Sequence, residues 1–210
     1  LLYHLALRGW TDTVLLEKDD LTAGSTWHAA GLCTQFNASL NVTRLLMRGV
    51  ELFRDLDSGP RGPIDFREVG SIRLATMPAR LDQYRDARGL ARVAGLPFEL
   101  IGPDEIGRRV PLLSLDGVLG AAWTPTDGYV DPSRATHAMA DAATELGAEI
   151  ERRTPVTGLR QLPSDEWDVT TDRGTLRAGI VVNAAGWRRP RAVWPPRRAV
   201  GAAPRTPLAP

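Results

Sequence analysis

The stretch Thr13-Val-Leu-Leu-Glu17 constrains the fold of this chain more than any other. It is a short apolar run without alternation, ending in an acid. A strand buried on both faces reads this way, and such strands belong to parallel sheets covered by helices. The residues before it, LLYHLALRGW, place Leu1, Leu2, Leu5 and Leu7 on roughly one helical face, and Gly9 stops the helix. Helix, tight turn and buried strand, in that order, are parts of a doubly wound α/β unit. The helix has no N-cap and no polar turn before it, so the chain is expected to open inside an element.

Further along, residues 19–33 (DDLTAGSTWHAAGLC) are small and Gly-rich and predict a loop leading into a short helix. A long amphipathic helix is expected over about 41–56, where Leu45, Leu46, Val50, Phe53 and Leu56 recur at three- and four-residue spacings. Ser58-Gly-Pro-Arg-Gly-Pro63 is a turn cluster. Ile64–Phe66 and Ser71–Thr76 predict strands, Pro78 to Gly95 a helix, Phe98–Ile101 a strand, and Pro103 to before Pro111 a short helix. Residues 117–124 predict a strand, Pro125–Asp131 a loop, and Pro132 to Gly147 a helix. Strands are expected at Ala148–Arg152, Val156–Leu162, Trp167–Thr171 and Ile180–Asn183, with a hairpin turn at Asp172-Arg-Gly174. Strands and helices alternate at both ends, while the middle is mixed. This pattern predicts a nucleotide-binding α/β domain interrupted by an α+β domain.

Composition narrows the function classes. No run approaches the roughly 18 apolar residues of a membrane span. One cysteine among 210 residues excludes an internal disulfide framework and any Cys-based metal cluster. The net charge of +1 gives no support for nucleic-acid binding. No basic-then-apolar leader opens the chain, so the expected localisation is cytoplasmic. Residues 187–210 hold 6 of the 16 prolines and 6 arginines with no acid, so the first 186 residues carry 20 basic against 25 acidic groups. Only Lys18 among the 26 basic residues is lysine, which reads as coding bias from a GC-rich genome and carries no functional weight.

Two stretches point to chemistry. Glu17 ends this apolar strand, and an acid at the C-terminal end of the second strand of a Rossmann unit accepts hydrogen bonds from ribose hydroxyls when a Gly-rich phosphate loop lies about 20 residues upstream. Counting back that far lands before residue 1, and a surface acid after a strand is the alternative. In Gly24-Ser-Thr-Trp-His-Ala-Ala-Gly31, small residues let backbone N–H groups approach an anion or a flat ring. Ser25 and Thr26 add hydroxyls, and Trp27 and His28 are bulky among small neighbours, as for groups that pack on a ligand.

LLEKDDLTAGSTWHAAGL closely resembles the flavin-binding segment of the dimethylglycine and sarcosine dehydrogenases, within the FAD-dependent amino-acid oxidase superfamily. The resemblance continues through Gly70-Ser-Ile-Arg-Leu-Ala75, Arg80-Leu-Asp-Gln-Tyr84, Asp127-Gly-Tyr-Val-Asp-Pro132, Thr154-Pro-Val-Thr157 and Val181-Val-Asn-Ala-Ala-Gly186, and covers about residues 1–186. It implies a Rossmann-like FAD-binding domain, lacking its first strand and glycine loop, over 1–60 and 130–186. Part of an inserted α+β substrate domain would occupy 61–129. It implies FAD held covalently through His28, whose imidazole would bond to the 8α-methyl carbon. The ribose would rest on Glu17 with Lys18 beside it, and the flavin and phosphates along Gly24, Ser25, Thr26, Trp27, His28, Ala29, Ala30, Gly31 and Leu32. Val156 would contact adenine through its backbone, and Ala184, Ala185 and Gly186 would approach the cofactor closely. For Ala184–Gly186 an ordinary turn after a strand is the alternative.

The implied substrate is a small N-methylated glycine-type amine, oxidised at its C–N bond by hydride transfer to the flavin. Tetrahydrofolate would take the one-carbon unit in the full-length protein. The electron acceptor, the oligomeric state and the catalytic residues stay open. Arg73 is a candidate for a substrate carboxylate. Asp127, Tyr129 and Asp131 read as a structural turn, and His4, His137 and Cys33 as packing or surface groups. Trp10, Trp123 and Trp167 read as core or strand positions. The rival readings are an amine or amino-acid oxidase using oxygen, and a non-catalytic remnant without the dinucleotide loop. In the family the NAAG segment leads into a helix, whereas here Pro190, Pro195 and Pro196 would break one. Residues 187–210 are therefore expected to be a Pro/Arg-rich tail of frameshifted origin, a real basic, Pro-rich interaction tail being the alternative, and the isolated fragment is expected to be inactive.

Overall fold

The computed structural model describes residues 1–59 and 63–186. The turn expected at 58–63 falls partly outside these residues, and the 187–210 tail, Pro190, Pro195 and Pro196 included, falls wholly outside them. The fold is mixed α/β and forms two compact units. The first comprises Leu1–Thr11 with Leu21–Ala148, and the second Asp12–Asp20 with the residues from Glu149 onward.

In the first unit, α1 (Leu2–Ala6) and α5 (Pro132–Glu145) pack together through Ala6, Ala143 and Ala148. The buried face of α1 is Leu2, Tyr3 and Ala6. Leu1 and Leu7, expected on it, are exposed, because a helix of five residues presents little more than one turn to its neighbour. The α5 helix starts where its sequence directs. The Asp131 carboxylate caps it by accepting from Ser133 N at 2.8 Å and Arg134 N at 3.0 Å, and Pro132 fills the first position without losing a hydrogen bond. Ala135, Ala138, Ala142 and Ala143 form a small-residue face that lets neighbours approach closely.

Two three-stranded sheets complete this unit. One has the order β2 (Leu32–Cys33), β7 (Gly128–Tyr129), β3 (Arg67–Glu68), and the other β4 (Ser71–Ala75), β6 (Gly120–Thr124), β5 (Glu99–Ile101), all antiparallel. Helix α2 (Leu40–Asp57) contributes Val50 and Leu56 to a core shared with Ile64, Phe66 and Val130. Leu45, expected on the buried face, is 70% exposed. Helix α3 (Pro78–Ala94) ends at Gly95 in the left-handed conformation, φ +80°, and α4 covers Pro103–Arg109.

Two expectations fail here for physical reasons. Ile64–Phe66 is not a strand. Asp65 has φ +61°, which breaks a ladder, while Ile64 and Phe66 are both buried, so the two-residue spacing imitated one. Trp10 is neither core nor strand, being exposed in the turn after Gly9.

The second unit pairs β1 (Val14–Leu16) with β8 (Glu149–Glu151) in parallel, in register Val14 to Glu149. A parallel strand is therefore present within Thr13–Glu17, but not the buried one expected, since Val14 is 42% exposed and Leu15 and Leu16 are half-buried. An antiparallel sheet of order β11 (Gly174–Ala178), β10 (Trp167–Thr171), β9 (Val156–Gln161) follows. The hairpin turn is where the sequence places it. The strand expected at Ile180–Asn183 is not formed. Among the described residues it has no ladder partner, and Ile180 and Val182 are 71% and 58% exposed. Among the described residues no helix is long and apolar enough to cross a membrane.

Candidate functional site

The expected site residues fall into two groups, one in each unit. In the second unit, Glu17 follows β1 and is fixed from both sides of its backbone. Its N–H donates to Glu151 O at 2.9 Å and its carbonyl accepts from Thr154 N at 2.8 Å. The side chain is also held, since Oε1 accepts the Asp19 N–H at 3.0 Å. That bond leaves lone pairs of the carboxylate to accept hydroxyls. Lys18 pairs with Asp19. Arg153, itself at φ +52°, closes the turn by donating its N–H to Asp19 O at 3.1 Å and its guanidinium to Asp20 at 2.9 Å. The Arg153 bond holds the Asp20 carboxyl below the usual carboxylate range. Thr154, bonded to Glu17, lies two residues before Val156 at the start of β9, so the structure brings Glu17, Lys18 and Val156 into one neighbourhood. Ala184–Gly186 are exposed in the same unit. Ala185 N donates to Asn183 Oδ1 at 3.1 Å, and Gly186 has φ +66°.

In the first unit, Thr26–His28 form a single turn of 3-10 helix after Gly24 and Ser25. Trp27 is 67% exposed, and its indole N–H donates to His28 Nε2 at 3.0 Å. A neutral imidazole accepting at Nε2 carries its proton on Nδ1. From Ala29 the chain runs extended into β2. A cavity of about 510 Å³ opens beside it, lined by Thr26, Ala29, Ala30, Gly31, Leu32 and Cys33 on one side, and by Phe53, Val130, Ala135 and Met139 on the other. Pockets of this size take small molecules and cofactor rings. At Gly24 an added Cβ would meet nothing within 4 Å, so that backbone is open to a ligand. Small residues, an exposed imidazole and an apolar wall fit a flat ring system, and Glu17 fits a ribose.

Gly31 fixes this strap. It has φ +70°, and a Cβ there would lie 2.1 Å from Val130 O, while Val130 N donates to Gly31 O at 2.9 Å. Cys33 donates its thiol to Gly31 O, and burial, with the nearby Asp127 charge, raises its pKa, so it stays protonated.

The sequence reading missed what lies beneath the strap. Asp127, read as part of a turn, is fully buried and bonds Gln35 and Ser71 from distant segments. An acid followed by Gly128, in a stretch otherwise poor in strand formers, was the available signal. The loop expected over Pro125–Asp131 contains β7 for the same reason, because Gly128 admits Arg67 O to 2.3 Å from where its Cβ would be. Arg73, the carboxylate candidate, donates to Phe36 O at 3.3 Å and stands over the Phe36 ring at 5.6 Å.

The profile of a known family, DAO: FAD dependent oxidoreductase, matches residues 1–207. The chain belongs to this family of FAD-dependent oxidoreductases. It is 40% identical over 190 residues to the mitochondrial dimethylglycine dehydrogenase of Rattus norvegicus, an overlap of 90% of this chain and 22% of that protein. It is 33% identical over 191 residues to the mitochondrial sarcosine dehydrogenase of Homo sapiens, covering 88% and 21%. Among solved structures, the L-proline dehydrogenase from P. horikoshii matches with TM-score 0.80 at 31% identity, over 87% of this chain and 48% of that one. The chain thus spans about a fifth of the length of these curated relatives.

Proposed function

We propose that this chain is the cofactor-binding part of an FAD-dependent amine dehydrogenase that oxidises an N-methylated glycine or a similar small amine, with the flavin bound covalently to His28. The observation that carries this reading is the Ser25–Leu32 strap, an exposed His28 followed by small residues beside an apolar cavity, in a chain 40% identical to a dimethylglycine dehydrogenase. Residues 1–60 and 130–186 would serve FAD and 61–129 the substrate.

Flavin, when bound, accepts a hydride from the carbon next to the amine nitrogen. The residues here bind and orient. Glu17 accepts the ribose hydroxyls, and the Lys18 ammonium stands beside it. Ser25 and Thr26 donate hydroxyls, and the backbone from Gly24 to Leu32 offers close approach without side-chain bulk. The Phe53, Val130 and Met139 wall offers the ring an apolar surface to lie against. Val156 and Ala184–Gly186 would flank the cofactor through their backbones. Loss of hydride and a proton from the amine leaves an imine. Water then releases formaldehyde, or tetrahydrofolate, bound elsewhere in the full-length protein, takes the one-carbon unit.

Mass spectrometry of the His28 peptide from the full-length protein tests the reading. The expected result is a flavin adduct on His28, absent in His28→Ala. An unmodified His28 in a fully FAD-loaded protein refutes covalent attachment. Oxygen consumption with amine substrate separates the dehydrogenase from an oxidase.

A further inference from the structure

We propose that Asp127 is a positioning residue for His28, setting the rate of the covalent bond to flavin without touching either group. The inference rests on the reading of His28 above. Asp127 is 0% exposed, and a carboxylate so deep is tolerated only when its lone pairs are used. Oδ1 accepts the Gln35 N–H at 2.8 Å and Gln35 Nε2 at 3.2 Å, Oδ2 accepts the Ser71 hydroxyl at 2.6 Å, and the Asp127 carbonyl accepts Gly70 N at 2.7 Å. All these donors are uncharged, so the carboxylate is fixing geometry between segments.

The segment it holds is the one that follows His28. Gln35 lies two residues past Cys33, the end of β2. At the other end Val130 N holds Gly31 O at 2.9 Å, and between them β7 pairs with Leu32 and Cys33. Residues 31–35 are therefore fastened at both ends to residues 127–130. His28 stands three residues before the first fastening. The strap cannot slide without breaking the Asp127 bonds. A reacting nitrogen must be held at about 3–3.5 Å from its target, and a displacement of about 1 Å costs about 100-fold in rate.

In the bond-forming step an imidazole nitrogen bonds to the 8α carbon, which loses one hydrogen as a proton while the imidazole gives up its own N–H proton. The electron pair and two protons are taken up by the flavin ring, and dissolved dioxygen accepts them, forming hydrogen peroxide.

The test uses full-length apoprotein mixed with FAD, following acid-stable flavin fluorescence on a denaturing gel against time and FAD concentration. Asp127→Ala is expected to lower the maximal rate of attachment at least about 10-fold with the FAD half-saturation concentration unchanged, as expected of a misplaced reacting group. Asp127→Asn, which keeps an acceptor for Gln35 N–H, is expected to restore the rate to within about 3-fold. Ser71→Ala, a milder change should Asp127→Ala fail to fold, is expected to slow attachment about 3-fold. Hydrogen exchange at residues 31–35 of the apoprotein should rise in the same order. Unsubstituted rates in folded Asp127→Ala or Ser71→Ala overturn the proposal, as does a change confined to half-saturation. If the unsubstituted protein binds FAD only non-covalently, the His28 reading fails and this inference with it.

Discussion

Two buried aspartates, one in each unit, accept from side chains and backbone of other segments, Asp127 in three contacts and Asp168 in two, and their settings differ. Asp127 in the first unit accepts only from uncharged groups and is fully buried. Its partners Gln35 and Ser71 lie 92 and 56 residues away. Asp168 on β10 accepts from the guanidiniums of Arg160 and Arg177, its cross-strand neighbours on β9 and β11, only 8 and 9 residues away. Those arginine side chains are 76% and 62% exposed. The buried aspartate ties together segments that meet only in the folded state. The other, 8% exposed itself but reached by exposed arginines, braces a hairpin already in register. A full charge on each partner makes the second contact look stronger. Water, however, screens it and competes for both arginines. Distance along the chain and the burial of the partners, more than formal charge, decide which aspartate the fold depends on.

The largest effect is expected where the buried side has no freedom to adjust. Gly31→Ala places a Cβ 2.1 Å from Val130 O at φ +70°. Backbone must move on both sides, so a loss of about 3 kcal/mol or more is expected, read as a lower urea midpoint in the full-length protein. An unshifted midpoint would mean that the Gly31–Val130 contact is loose, and the contrast between the two regions would lose its first support. Asp127→Ala comes next. It leaves the Gln35 and Ser71 donors unpaired in the interior, and because those donors are neutral the expected cost is about 2 kcal/mol rather than the larger penalty of a stranded charge. Urea titration of both variants in parallel ranks them.

The same division decides what was legible beforehand. Local signals carried the elements made of local contacts. Pro78 and Gly95 bounded one helix, and Asp131 with Pro132 opened another. The apolar run before Glu17 announced a parallel strand, and Asp172–Gly174 a hairpin. The loop and short helical turn ending at His28 were legible from the density of small residues. Strands β2, β3 and β7 were not, since two-residue strands leave no periodicity and exist here because Gly128 admits Arg67 closely. Asp127 escaped for the same reason, as nothing near it in sequence announces Gln35 or Ser71. Ile64–Phe66 shows the converse error, since two buried residues at strand spacing flank a left-handed Asp65.

The smallest effect is expected at Asp168. The hydrogen bond from Arg160 holds its carboxyl below the ordinary aspartate range, aided by the charges of Arg160 and Arg177 against the cost of burial. A carboxyl with a depressed folded-state pKa adds stability above its unfolded pKa, about 3.9, and loses it as pH falls through the lower folded value. At neutral pH Asp168→Asn should therefore lower the melting temperature by no more than about 2 °C, as for an ion pair whose arginines stay in water. The variant and the unsubstituted protein should converge as pH falls below about 4, and converge at pH 7 when salt is raised to about 1 M. Asp127→Asn should show no such salt dependence, because its partners are neutral and dry. If instead Asp168→Asn destabilises more than Asp127→Ala, charge rather than partner burial and distance along the chain governs these sites, and the ranking of the two aspartates reverses.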